Sequence, residues 1–328
     1  MDHIQFPYRS SSHLALMHVV NECGAWDRQR LSVDYAKEIS RGDAHKLVPT
    51  GQVEFTSGNH VSTYAARVRG DNWVYLGQSI SSNRMALVTR DDAGIDKVAD
   101  IKGKKFGTKG RHPGLNDWLY LKQSGLDEDR EEFDMIRFGS FSNDARRQKM
   151  DLIEALKTKE VDAAFMSMPK SEFAKREGLK VIDIAPQPMV FYTTVSSSLP
   201  FVQKHPDVVK RVLMGLIDGV AFFKTQREKT IQILLDKHDT EGKLDRAMAE
   251  KLYDDLAPQF EPKLYPSLEA VFNVYEEAKR QSAEAEKIHP LALWDFHLLR
   301  EIDDAGYIDD VYKKYTGKPL GGVARAEG

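Results

Sequence analysis

Apolar positions along the chain alternate between two spacings. Short β-prone runs at 4–8, 31–35, 53–57 and 73–80 read as strands, and the segments between them, 13–23, 43–48 and 59–69, carry the three-and-four-residue spacing of helices. In the first of these helices Leu14, Leu16, Met17 and Val20 share one side, and Gly24 follows as a stop. The order is β-α-β-α-β-α-β. Such alternation predicts a mostly parallel sheet covered by helices on both faces.

The pattern then changes. A strand at 85–90 has no helix before it, and only Ser81, Ser82, Asn83 and Arg84 join it to the strand at 73–80. A second α/β set follows, with strands at 105–108, 135–138, 161–166 and 181–184 and helices at 114–124, 143–159 and 169–177. Another strand, 190–195, again lacks a preceding helix, and from 205 onward the pattern is almost wholly helical. Pro206 suits the first turn of a long helix bearing Val208, Val209, Val212, Leu213, Leu216, Ile217, Val220 and Phe223. Shorter helices are expected near 230–237, 246–256, 266–285 and 291–305, with Gly306 as the last stop and a frayed tail over 318–328. The expectation is a discontinuous first lobe, 1–84 with 196–328, and a second lobe, 85–195, inserted through two crossing strands. Ligands of open α/β sheets bind beyond the carboxyl ends of the strands, so two such lobes are expected to hold a ligand in the cleft between them.

Composition narrows the function classes. The 328 residues are 41% hydrophobic and 30% charged, which is ordinary for a globular protein. With 47 basic and 50 acidic residues the net charge is −3, so no global field favours nucleic acid or an anionic membrane. No apolar run approaches the ~18–20 residues of a membrane span, and no membrane insertion is expected. The one cysteine, Cys23, excludes an intramolecular disulfide and cysteine-rich metal sites, and no His-Glu-x-x-His spacing occurs. Neither a metal nor a cofactor is expected. The start, Met1-Asp2-His3, shows no basic, apolar and cleavage regions of a leader, so the sequence as written is expected to be cytoplasmic, or periplasmic if a leader has been removed.

Candidate chemistry clusters where strands turn into helices. The loop Lys109, Gly110, Arg111, His112 between the strand 105–108 and the next helix offers backbone N–H groups, a helix N-terminus and positive charge, which suits an anion. Its bland alternative is solvated surface. Arg9, Ser10, Ser11, Ser12 and His13 occupy the equivalent place after the first strand, as cleft contacts or as simple N-caps at Ser11 or Ser12. After the third strand come Gly58, Asn59 and His60; a histidine in a helix's first turn tends to stay neutral, which suits hydrogen bonding or base catalysis, or else plain packing. Arg84 is placed either for bidentate anion recognition or for a surface ion pair. Met166, Ser167 and Met168, with Gln187, Pro188, Met189, Phe191 and Tyr192, form an apolar wall or ordinary core. Cys23, at the end of the first helix, points away from the strand ends, and Trp294, His289 and His297 read as packing.

Several runs carry a family resemblance. They are 22–26 (Glu-Cys-Gly-Ala-Trp), 87–92 (Leu-Val-Thr-Arg-Asp-Asp), 99–107 (Ala-Asp-Ile-Lys-Gly-Lys-Lys-Phe-Gly), Glu154-Ala155-Leu156 with Val161-Asp162-Ala163-Ala164, Met168-Pro169, and 205–209 (His-Pro-Asp-Val-Val). Through them nearly the whole chain resembles the type 2 periplasmic-binding-protein fold, and within it the ABC-transporter solute-binding proteins for nitrate, taurine, sulfonates and thiamine-pyrimidine precursors. The resemblance implies a two-lobed α/β fold with a helical C-terminal extension, a small-molecule ligand, and an ABC permease as partner. Around 53–56 and 76–92 the chain also looks like aromatic desulfinases of this fold, which use a cysteine, a histidine and an arginine. At the matching positions stand Ser10 to Ser12 and Glu54, with no arginine until Arg67, which argues against desulfination. Pyrimidine synthases of the same fold need a cysteine-rich iron site that one cysteine cannot make.

Two readings follow. One is a solute-binding protein that closes on a small, anionic organic or heteroaromatic ligand. The alternative is a cytoplasmic enzyme on the same scaffold, a lyase such as a decarboxylase, or a hydrolase, with His60 or His13 as acid/base. A cytosolic ligand sensor is a third possibility that sequence does not separate from these.

Overall fold

The computed structural model describes residues 1–58, 60–109, 114–127, 130, 132–139, 142–238 and 244–321, without the side chains of 114–116 and 191. The chain divides into two compact units, unit 1 from Met1–Ser81 with Val190–Gly328 and unit 2 from Ser82–Met189. The expected frayed tail lies outside the described residues from 322 onward.

Unit 1 begins with β1 (Asp2–Gln5), α1 (Leu14–Glu22), α2 (Ala25–Arg28), β2 (Leu31–Asp34), α3 (Arg41–Leu47), β3 (Thr56–Ser57), α4 (Ser62–Val68) and β4 (Trp73–Asn83). β1 pairs with β2 in parallel. The expected strand 53–57 shrinks to two residues, yet its backbone still runs along the extension of β1: Phe55 N–H donates to the Gln5 carbonyl at 3.1 Å and Ser57 N–H to the Pro7 carbonyl at 3.2 Å. Gly24 takes a left-handed φ of 71° just beyond α1, as a helix stop requires.

Unit 2 carries β5 (Ala86–Thr89), β6 (Lys105–Thr108), α5 (Gly114–Gln123), β7 (Asp134–Arg137), α6 (Ala145–Lys149), α7 (Leu152–Lys157), β8 (Ala163–Met166), α8 (Lys170–Arg176) and β9 (Lys180–Asp183). Its five strands run in the order β7-β6-β8-β5-β9. β6 is parallel to β7 and β8, but β5 is antiparallel to both β8 and β9, so the sheet is mixed rather than mostly parallel. Period-two alternation gives each face its own core. Leu87, Phe106 and Phe165 pack on one face, and Val88, Ala164 and Met166 on the other. Met166 is therefore a core residue of this unit. The helix expected over 143–159 is broken at Met150–Asp151, where the Asp151 carboxylate caps a new helix by accepting from Ile153 N–H at 2.9 Å.

The chain then returns to unit 1 along β10 (Gln187–Ser198), which enters it at Val190, and continues with α9 (Leu199–Lys204), α10 (Pro206–Thr225), α11 (Arg227–Lys237), α12 (Arg246–Gln259), α13 (Leu268–Gln281), α14 (His297–Asp304) and α15 (Tyr307–Thr316). β10 lies between β3 and β4 and is antiparallel to β3. Both β4 and β10 outrun their expected lengths, and 81–83, anticipated as a connection, belong to β4. α10 begins with Pro206 in its first turn and buries Val209, Val212, Leu213, Leu216, Ile217 and Val220. Two of its glycines admit neighbours closely. A Cβ on Gly219 would stand 2.4 Å from Val20 Cγ2, and one on Gly215 would stand 2.5 Å from the Trp26 ring. Gly306 stops α14 as expected, with a left-handed φ of 78°, but it is also the joint to a further helix, α15, which packs back on α10 and buries Ile308, Val311 and Tyr312.

Candidate functional site

Two strand-to-helix turns of unit 1 meet at one pocket. The turn after β1 contributes Arg9, Ser10 and His13, and the turn after β3 contributes Gly58, His60, Val61 and Ser62. Arg41 from the start of α3 and Gln281 from the end of α13 complete the lining of a pocket of about 260 Å³. The close approach of the two turns depends on Gly58. Its φ is 100°, and a Cβ there would lie 2.9 Å from Arg9 Cβ and 3.7 Å from His13 Nε2.

β10 supports the histidines from behind. Tyr192 takes a left-handed φ of 65°, an uncommon conformation for an aromatic residue, and the two residues after it each meet one imidazole. Thr193 Oγ1 is 3.3 Å from His13 Nδ1, and Thr194 Oγ1 is 2.7 Å from His60 Nδ1. Thr194 also donates to Gln78 Oε1 on β4, while the Tyr192 ring packs edge-on to His13 at 5.8 Å.

Both histidines are neutral at physiological pH. Burial pushes His13 down to about 3, helped by His60 and Arg9, and burial alone holds His60 at about 4. Helix α4 starts only at Ser62, so His60 is not in a helix's first turn, and desolvation rather than the helix dipole keeps it neutral. Arg9 donates to the Ile39 carbonyl; burial lowers its pKa, opposed by the Glu38 charge. Two arginines and two neutral imidazoles thus face one small space, an arrangement suited to an anionic group.

The other expected site residues fall elsewhere. Ser11 is exposed and Ser12 half-buried; Ser12 Oγ pairs with Ser10 Oγ at 3.0 Å, and neither serine caps α1 by side chain, because His13 is its N-cap. Arg84 is exposed just after β4 in unit 2. Lys109 Nζ sits 3.5 Å from the Asp151 carboxylate. Ser167 is half-buried, its carbonyl accepting from Ser171 N–H at the start of α8. Met189 and Tyr192 are buried, as core residues are, and the Phe191 side chain lies outside the described residues. Asn59, Gly110, Arg111 and His112 also lie outside them. Cys23 is the C-cap of α1 and burial pushes its thiol up, which suits an inert thiol. Sequence reasoning missed Arg41, Val61, Ser62 and Gln281 in the lining, and the Thr193-Thr194 pair with its Gln78 partner behind it.

Unit 2 holds a larger pocket of about 440 Å³ beside β7, lined by Arg137, Asp144 and Arg147 among others. Two of its charged groups are already committed. Asp144 accepts from the Arg146 and Arg147 N–H groups, and Arg147 Nε donates to Glu160 at 3.2 Å. Among the described residues no group of three or more histidine, cysteine or acidic side chains is placed to hold a metal, and no helix is long and apolar enough to cross a membrane.

Comparison with known proteins agrees with this architecture. A family model described as NMT1/THI5 like matches residues 13–229. Comparison with curated protein sequences yields no significant match. Among solved structures, the periplasmic aliphatic sulphonate binding protein SsuA from Escherichia coli is 16% identical with a TM-score of 0.66, over 89% of this chain and 96% of that one. A Candida albicans gene product exhibiting the generic periplasmic binding protein structural fold is 16% identical with a TM-score of 0.60, over 92% and 95%. A mutant of the desulfurization enzyme DszB in complex with biphenyl-2-sulfinic acid is 14% identical with a TM-score of 0.64, over 93% and 99%. At these identities the likeness establishes the periplasmic-binding-protein fold, which hosts both binding proteins and enzymes.

Proposed function

The chain belongs to the NMT1/THI5-like family, and we propose that it is a solute-binding protein whose unit 1 pocket receives the anionic group of a small organic ligand, sulfonate-like in charge and size, for delivery to an ABC-type permease. In that role it works in the periplasm. The observation that carries the proposal is the convergence of Arg9, Arg41, His13 and His60 on one pocket beside Gly58. Guanidinium groups supply charge and directed donors to an oxyanion, and neutral imidazoles add hydrogen bonds without further charge. SsuA of E. coli, a sulphonate-binding protein by description, shares the fold.

The enzyme reading has less support. A general base works best when its pKa lies near the working pH, whereas His13 and His60 sit at about 3 and about 4. Ser10 Oγ is paired with Ser12, and Cys23 is not among the lining residues. Ser62 Oγ, which does line the pocket, stands 2.7 Å from His45 Nε2, and a serine beside a histidine is the one pairing there that would favour an enzyme.

The test is calorimetric titration of the full chain with small sulfonates and carboxylates, with mass spectrometry of the recovered ligand. A bound ligand at 100 times its Kd should add about 2.7 kcal/mol to stability. Arg9→Gln should weaken binding by about tenfold or more, as expected for loss of a charged hydrogen bond. Unchanged affinity in that variant would remove the pocket from consideration, and a chemically altered ligand would favour the enzyme.

A further inference from the structure

Behind the pocket, a chain of hydrogen bonds fixes a proton. Gln78 Nε2 donates to the Ile80 carbonyl at 2.6 Å, and because a carbonyl can only accept, the amide must lie with Oε1 toward Thr194. Oε1 can likewise only accept, so the Thr194 hydroxyl directs its one hydrogen to Gln78. Thr194 Oγ1 can then meet His60 Nδ1, 2.7 Å away, only as an acceptor. The hydrogen between them belongs to Nδ1. A neutral imidazole carries a single N–H, which leaves Nε2 as a bare lone pair, and among the described residues Nε2 has no partner.

We propose that Gln78 and Thr194 lock His60 as its Nδ1–H tautomer, so that the pocket presents an Nε2 acceptor and selects anionic ligands that also bring an O–H or N–H donor. The inference rests on the ligand-pocket reading above and deepens it by naming a ligand feature. A ligand made only of acceptors would set its lone pairs against that of Nε2, which loses water on binding and gains no hydrogen bond. A hydroxyl or amine beside the anionic group satisfies Nε2 while the arginines hold the charge. Gln78 and Thr194 touch no ligand in this account. They are positioning residues, acting through His60.

Two measurements on the full chain test the inference. The first is long-range 1H–15N NMR at pH 7 without ligand, with the His60 signals assigned by their loss in His60→Gln. Nδ1 should resonate in the protonated range and Nε2 in the unprotonated range, and the reverse pattern would overturn the lock. In Gln78→Met, Thr194 regains the freedom to donate, and the Nε2–H form should appear. The second uses probe pairs that differ only by a methyl cap: 2-hydroxyethanesulfonate against 2-methoxyethanesulfonate, and 4-hydroxybenzenesulfonate against 4-methoxybenzenesulfonate. The parent should bind the hydroxyl member of a pair about tenfold more tightly or better, and Gln78→Met should lose most of that preference. Equal binding of both members by the parent would overturn the selection. Failure of every probe to bind would count against the pocket as an anion site, while the NMR pattern still decides the tautomer.

Discussion

Gly58→Ala, set beside Gly70→Ala, separates two costs that usually arrive together. The two glycines share nearly the same φ, 100° and 103°, which L side chains rarely adopt. They differ in surroundings. A Cβ on Gly70 meets nothing within 4 Å, whereas one on Gly58 would stand 2.9 Å from Arg9 Cβ and 3.1 Å from Arg9 Cγ. Carbon atoms prefer about 3.5–4.0 Å, and Cβ is not the flexible end of the arginine. Gly70→Ala therefore carries the backbone strain alone, a loss of about 1–2 kcal/mol after the smaller entropy of the unfolded alanine chain is counted. Gly58→Ala adds an overpacking cost of about 1–3 kcal/mol. The assay is urea unfolding by tryptophan fluorescence in a Trp118→Phe background, since the other three tryptophans, Trp26, Trp73 and Trp294, all belong to unit 1. Ligand affinity should fall in Gly58→Ala, where Arg9 is displaced, and hold in Gly70→Ala. If the two variants unfold at the same urea concentration, the Arg9 contact yields freely and the reasoning about the pocket wall is wrong.

Two further outcomes follow from other parts of the molecule. Burial raises the Asp117 carboxyl to about 8 despite a hydrogen bond from Thr108 at 3.1 Å. An unfolded aspartate titrates near 4, so this group's contribution is intact below about pH 4 and is lost as pH rises toward about 8, at about 1.4 kcal/mol per pH unit as an upper bound. Asp117→Asn should flatten that part of the stability curve and leave the variant more stable than the parent at pH 8; parallel curves would refute it. Gly219→Ala gains about 1 kcal/mol of helix propensity yet places a Cβ 3.0 Å from the Val20 Cα as well as against its side chain. Calorimetry should find it less stable by about 1–3 kcal/mol, because α1 must move as a whole, and a variant as stable as the parent would show that the helices separate at little cost.

Most of the elements were legible because their apolar periods were clean. The misplacements have physical causes. Residues 81–83 are polar and read as a connection, and the serines 196–198 lie beyond the expected strand 190–195, yet they extend β4 and β10, and the small hydroxyls of β10 suit burial: Ser197 Oγ donates to the Glu54 carbonyl and Ser196 Oγ to that of Gly58. The antiparallel run of β5 left no mark, since strand direction depends on the partner rather than on residue type. α15 carries Ile308, Val311 and Tyr312 at helical spacing, but a glycine that ends one helix gives no sign that another begins at the next residue. At the site, Arg9, His13, Gly58 and His60 came from the rule that strand-to-helix turns face ligands. Gln78 and Thr194 sit mid-strand, where polar residues give no local sign of what they hold, and Gln281 reaches the pocket from a helix more than 200 positions beyond His60.

The place of β10 between β3 and β4 has a consequence for how the protein is made. The middle strand of that sheet leaves the ribosome only after unit 2 has been synthesised, an interval of roughly 5–20 s for the hundred or so residues between β4 and β10. Throughout that interval β3 and β4 have emerged with their shared neighbour missing and their edges open, while unit 2 is contiguous and can complete itself. Nascent unit 1 is the species that a holding chaperone would meet.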